Sequence, residues 1–140
     1  MKFFKKCKDG GKNSPVDGYF LCEIKGLFSI ALLKFNKGGR EQFHTHAFDA
    51  YTWFLTGDLE EERLYEDGSH VFTKYTRKLL PKFTSKKNNH RVKASKDSWC
   101  LTIRGKWDDT WTEHDLDENK VTTFTHGRNI IKEEGLQNEL

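Results

Sequence analysis

The sequence predicts an all-β protein of antiparallel strands, and three observations carry that expectation. Apolar residues recur with a period of two rather than 3.6 along most of the chain, as in strands with one buried face. Turn residues punctuate these runs at spacings of about 8–12 residues. No helix-period segment recurs between them, which excludes a parallel sheet of strand–helix–strand units and leaves an antiparallel sandwich or barrel.

The elements follow in order. YFLCEIKGLFSIALLKF, Tyr19 to Phe35, reads as two strands joined near Lys25-Gly26. Gly38-Gly39 breaks the chain before FHTH, and AYTWFLTG is a strand that stops at Gly57. DLEEERLYEDG carries an alternating acidic strand to a turn at Asp67-Gly68, and HVFTKYTRKLL is a further strand halted by Pro81. PKFTSKKNN reads as a polar loop ending in the turn residues Asn88-Asn89. HRVKAS and SWCLTIRG flank a turn at Lys96-Asp97, and TWTEHD and KVTTFTHG form a closing hairpin. Only Asn129 to Leu140 has helix-forming composition, interrupted by Gly135.

The 140 residues fit one domain with a single core, about residues 18–126, between a basic N-terminal segment (1–17) and a tail (127–140). A net charge of +3 is too small to imply nucleic acid. The lysines of the first twelve residues and Lys82, Lys86 and Lys87 read as a solubilising tail and solvated loops, and no nucleic-acid-binding motif accompanies them. No run of about 18 apolar residues marks a membrane helix, and MKFFKKCKDGGKNSP lacks the apolar segment of a secretory signal. A cytoplasmic protein is the default expectation. Cys7, Cys22 and Cys100 are odd in number and far apart, against a disulfide framework or a cysteine-rich zinc site.

The chemistry lies in the histidines. On a strand, residues i and i+2 point to one face, so His44 and His46 project together and both imidazoles can reach one ion. A divalent ion needs a further ligand. His90, which opens a strand after a polar loop, is the candidate. His70 and His114 read as surface residues and His126 is ambiguous. The competing reading is a pair of core histidines held by hydrogen bonds.

The spacing Gly38, five residues, His44, one residue, His46, then Gly57 resembles the first motif of the cupin superfamily. The second motif is present in outline, as a strand ending at Pro81, a loop, and NHRVKAS with His90. HTHAFDAYTWFLTG, NHRV and SWCLTIRGKWDDTW together are similar to small single-domain cupins of bacteria and phages, over about Leu27 to Thr112. The resemblance implies a double-stranded β-helix, a jelly-roll barrel with its site inside. It also implies that His44, His46 and His90 hold a divalent ion such as Fe, Mn, Ni or Zn. One position departs from the motif: the usual ligand Glu, four residues after the second histidine, is Ala50. Asp49 is adjacent but has the wrong strand parity, and reads as a turn cap or a residue supporting the ligands from behind.

Inward parity continues through Thr52, Phe54 and Thr56, so Thr52 and Phe54 are candidate substrate contacts, against the plainer reading of barrel core. Arg104, before Gly105, could aim a guanidinium at an anion in the barrel mouth, as could Arg91 and Arg128, with surface roles competing. Two functions compete. One is a metal-dependent enzyme of dioxygenase, isomerase or lyase type acting on a small molecule; the other is a non-catalytic module holding a small anion or a partner protein. A homodimer is expected from the apolar segment Tyr19–Phe35, which would leave an unpaired edge unless a second copy or the C-terminal tail covered it.

Overall fold

In the computed structural model, residues 2–11, 13–40 and 42–135 are described, and they form two antiparallel sheets. In chain order the strands are β1 (Lys2–Lys8), β2 (Val16–Ile24), β3 (Phe28–Phe35), β4 (Gly38–Gly39), β5 (Phe43–His44), β6 (Ala50–Thr56) and β7 (Leu59–Leu64). There follow β8 (His70–Tyr75), β9 (Lys82–Thr84), β10 (Asn89–Ala94), β11 (Ser98–Arg104), β12 (Thr110–Asp115), β13 (Lys120–Thr125) and β14 (Asn129–Gly135). One sheet runs β1-β2-β3-β11-β6-β9, the other β14-β13-β12-β5-β10-β7-β8, with β4 beside β10. From β5 to β12 the chain crosses repeatedly between the two sheets, the winding of a double-stranded β-helix.

The sheets bury their facing sides. Val16, Phe20, Ala31, Leu33, Phe54 and Cys100 from the first sheet pack with Leu59 and Ala94 from the second. A smaller cluster of Ala47, Phe48 and Ala50 lies against Trp107 and Trp111. Between them is a cavity of about 360 Å³, lined by residues of both sheets and of the N-terminal segment. The alternation of β6 is as expected: Ala50, Thr52 and Phe54 line the cavity while Tyr51 and Leu55 are exposed. Thr56, expected inward, is exposed at the strand end.

Gly57 ends β6 with φ +100°, a conformation that side chains with a Cβ rarely adopt. An added Cβ would also stand 2.0 Å from Ser98 Oγ, the hydroxyl that accepts the Asp58 amide at 2.9 Å. Gly57→Ala is therefore expected to destabilise the fold by about 2–4 kcal/mol, from left-handed strain plus overpacking. Chemical denaturation checks it; a change below about 0.5 kcal/mol would show that the turn relaxes freely.

Several expectations are corrected. The stretch Asn129–Gly135, helical by composition, is β14, because β13 offers it an open edge and tertiary pairing overrides a weak local preference. PKFTSKKNN contains β9, which pairs Tyr51 with Phe83, and the strand expected to run to Pro81 ends at Tyr75. The basic N-terminal segment is no tail: β1 pairs with β2, Lys5 opposite Phe20 and Cys7 opposite Gly18. That pairing removes the argument for a dimer through an open Tyr19–Phe35 edge, since β1 covers β2. The alternative cover fails too, because β14 lies in the other sheet; residues 136–140 fall outside the described residues.

Candidate metal centre

Three short elements bring the histidines together. β5 is only two residues long and sits between β10 and β12, with His44 directly opposite His90. Cross-strand partners share a face, so the two imidazoles meet without help from a loop. His46 follows two residues later on extended chain, held by its amide to the Lys86 carbonyl at 3.3 Å, and returns to the same face. The ring centroids form a near-equilateral triangle: His44–His46 4.9 Å, His44–His90 5.0 Å and His46–His90 5.0 Å. One ligand nitrogen from each ring lies within 4.8 Å of the others.

The donor chemistry fits a divalent ion. His90 is buried, and its Nδ1–H donates to Glu61 Oε2 at 2.5 Å, which leaves the Nε2 lone pair for a metal. Such a carboxylate behind a ligand histidine fixes ring orientation and tautomer and raises its basicity. Glu61 is itself anchored by Lys82 Nζ at 2.7 Å and Asn88 Nδ2 at 3.3 Å. Burial works to raise the Glu61 carboxyl, but the hydrogen bonds and charges of His90 and Lys82 outweigh it and bring it down to about 2. Burial, reinforced by the charges of His90 and Arg104, brings His46 down to about 3. Burial and the Arg40 charge take His44 well below its ordinary value. Both rings are therefore neutral near pH 7, the state that binds metal.

Glu61→Gln keeps an acceptor for His90 but removes the charge, and is expected to weaken divalent-metal affinity about 10–100-fold. Competition against a Zn²⁺ chelator measures this. A loss below threefold would mean that another group orients His90.

Asp49 stands outside the triangle. It is exposed, its Oδ1 accepts the Lys86 amide at 2.7 Å, and its carbonyl accepts the Gly105 amide at 2.8 Å. These bonds tie the His46–Asp49 segment to the turn that leads into β10 and to the residue that follows β11. Ala50 lines the cavity and supplies no ligand. Thr52 and Phe54 also line it, Thr52 Oγ1 lying 3.3 Å from Thr102 Oγ1 and Phe54 stacking on Tyr75 at 4.6 Å.

Arg104 is not a surface residue. It is 4% exposed, lines the cavity, and donates through both terminal nitrogens to the Asp9 carboxylate at 3.0 and 2.6 Å. Its guanidinium lies 4.6 Å from the Phe48 ring centroid, and Phe48 in turn meets the His46 ring edge-on at 5.2 Å. Arg128 also lines the cavity and bonds Glu113 at 2.6 Å, whereas Arg91 pairs with Glu62 at 2.7 Å outside it. His70 is exposed, as expected, and His126 is exposed beside Trp107. His114, expected at the surface, is partly buried, with Nε2 3.3 Å from Thr112 Oγ1.

Sequence reasoning missed Glu61, Asp9 and Arg40. Glu61 left a signal: it shares the inward parity of Leu59, so an acid was being carried into the core. Asp9 left none beyond its place before Gly10-Gly11. Arg40, on the cavity wall and bonded to Glu113 behind it, lies four residues before His44 in a stretch whose geometry the sequence does not specify.

No family model and no curated protein matches this sequence. Solved structures do match in fold. Oxalate decarboxylase from Bacillus subtilis at pH 4.6 aligns with a TM-score of 0.55 and 13% identity over 76% of this chain and 28% of that one. A conserved protein of unknown function from Streptococcus pyogenes aligns with a TM-score of 0.53 and 14% identity, over 76% of this chain and 96% of that one. Another oxalate decarboxylase structure, from work on that enzyme's Mn(II) centres, gives a TM-score of 0.54 at 14% identity, over 80% of this chain and 30% of that one. The chain thus spans less than a third of the decarboxylase. What the likenesses establish is the fold, a cupin-type double-stranded β-helix.

Proposed function

We propose that this protein binds one divalent metal ion through His44, His46 and His90 and uses it to hold a small anionic molecule in the cavity, as a metal-dependent enzyme of dioxygenase, isomerase or lyase type. The observation that carries the reading is the three-imidazole triangle with His90 locked by Glu61. The Mn(II) centres named for the oxalate decarboxylase neighbour agree with a divalent ion in this fold. Three neutral ligands leave the ion's full charge and open positions, so it would acidify bound water or polarise a bound oxygen. The cavity keeps a net positive charge that suits an anion: of the seven Lys and Arg side chains that line it, six share the five carboxylates of Asp9, Asp17, Glu23, Glu61 and Glu113, and Lys25 lies over the Trp107 ring. Phe48, Trp107 and Trp111 supply an apolar wall next to His46.

The second reading, a non-catalytic anion-binding pocket, is favoured by one observation: Ala50 stands at the usual ligand glutamate, and neither Asp49 nor Glu61 replaces it. Elemental analysis of untagged protein, followed by titration of the Co²⁺-loaded protein with azide, separates the two. About one metal per chain and an azide-dependent change in the Co²⁺ spectrum support an open, reactive ion. Absence of stoichiometric metal binding would overturn the first reading, and azide binding to metal-free protein by calorimetry would then support the second.

A further inference from the structure

The six-stranded sheet carries apolar side chains on its outer side as well as its inner one. Its inner rung, Phe20–Ala31–Thr102–Thr52–Lys82 across five strands, faces the cavity and core. Residues paired across a ladder share a face and alternate along each strand, so the adjacent rungs point outward. One is Tyr19–Leu32–Leu101–Trp53, continued on β1 by Lys6, whose ammonium lies 5.3 Å from the Tyr19 ring centroid. The other crosses all six strands as Phe3–Cys22–Ile30–Ile103–Tyr51–Phe83, without one charged or strongly polar side chain. Phe3, Ile103, Tyr51 and Phe83 are 54, 37, 50 and 52% exposed, so no described part of the chain covers this band.

We propose that this outward face is the interface of a homodimer. A sheet in water ordinarily turns a polar face to the solvent, and a contiguous apolar band of this extent marks an association surface. The twelve apolar side chains of the two rungs and their neighbours Leu55 and Trp99, at about 200 Å² each and roughly a third exposed, present on the order of 800 Å². That is about what each partner contributes to a standard-size interface. A second copy fits because the six-strand rung offers no charge for a charged partner to recognise, the flanking Lys6 and Lys34 lying over the Tyr19 and Trp99 rings. A two-fold axis through β11 would lay apolar rungs against each other. It would also carry the Lys34–Asp97 pair, 3.8 Å apart, to opposite ends of the contact. The proposal is independent of metal binding, since these residues face away from the cavity.

Analytical ultracentrifugation of the full chain tests it. The expected result is a species of twice the 16.4 kDa chain mass at micromolar concentration. Ile103→Glu and, at the less buried sheet edge, Phe83→Lys are each expected to raise the dimer dissociation constant at least 100-fold. Ile131→Lys, on β14 in the other sheet, should leave it within threefold. Far-UV circular dichroism confirms folding, and if Ile103→Glu fails to fold, Phe83→Lys decides alone. A wild-type monomer at 100 μM, or a dimer that Phe83→Lys leaves within threefold, overturns the proposal.

Discussion

Replacing His46 with alanine is expected to lower divalent-metal affinity by about two to three orders of magnitude. Structural zinc sites bind with roughly 10–16 kcal/mol over four ligands, so one imidazole accounts for about 2.5–4 kcal/mol. His44→Ala and His90→Ala should behave alike, because the three rings are spaced within 0.1 Å of one another by centroid distance, 4.9 to 5.0 Å. Isothermal titration with Zn²⁺ measures the loss. An unchanged affinity for any one of the three would remove that residue from the site.

Two of these histidines, His44 and His46, set a pH dependence with a definite sign. In the unfolded chain they protonate near pH 6.5, whereas in the fold His46 is held down to about 3 and His44 well below its ordinary value. Between these limits the unfolded state binds more protons, so the metal-free protein loses stability as pH falls from about 6.5 toward 3. Partly buried His114, lowered by burial, adds in the same direction. Denaturation in urea at pH 7.5, 6 and 5 should show the decline, and His46→Ala should make it shallower. A flat profile in the wild type would mean that the rings protonate in the fold as readily as in the unfolded chain.

Removing the Asp9 carboxylate is expected to be the most destabilising change in the N-terminal segment. Asp9→Ala leaves the Arg104 guanidinium, whose side chain is 5% exposed, without its bidentate partner. Breaking a buried pair from one side costs about 3–5 kcal/mol; with a quarter of the Asp9 side chain exposed, about 2–4 kcal/mol is expected here. The pair also shows in Asp9 itself: burial would raise its carboxyl, and the charge and hydrogen bonds of Arg104, with His46 and Arg40, lower it instead. The double change Asp9→Ala with Arg104→Met should recover most of the loss, because an apolar side chain in that place needs no counter-charge. If the double variant were no more stable than Asp9→Ala, the single loss would reflect packing rather than an orphaned charge.

The strand pattern was legible because it depends on local features. Period-two alternation and turn residues placed β2, β3, β6, β7 and β10 to β13 close to their bounds. Elements without an alternating apolar signal were not legible. β1 is lysine-rich, β9 lies in a polar stretch and β14 has helical composition, and each becomes a strand by pairing with an edge already formed.

The site divides in the same way. The i, i+2 spacing fixed by strand geometry determined that His44 and His46 share a face, and Ala50 already excluded the usual fourth ligand. The partner of Arg104 was beyond the sequence, because Asp9 lies 95 residues away and the two meet only when β1 joins β2 at the cavity wall. So was the role of Glu61, 29 residues from His90, which becomes its anchor only because β7 and β10 pair antiparallel and turn both side chains inward. Residue type and spacing determine what a side chain can do and which way it faces on its own strand. Which charges it meets is set by pairing between distant strands, where burial in a poorly solvating interior makes each such meeting strong.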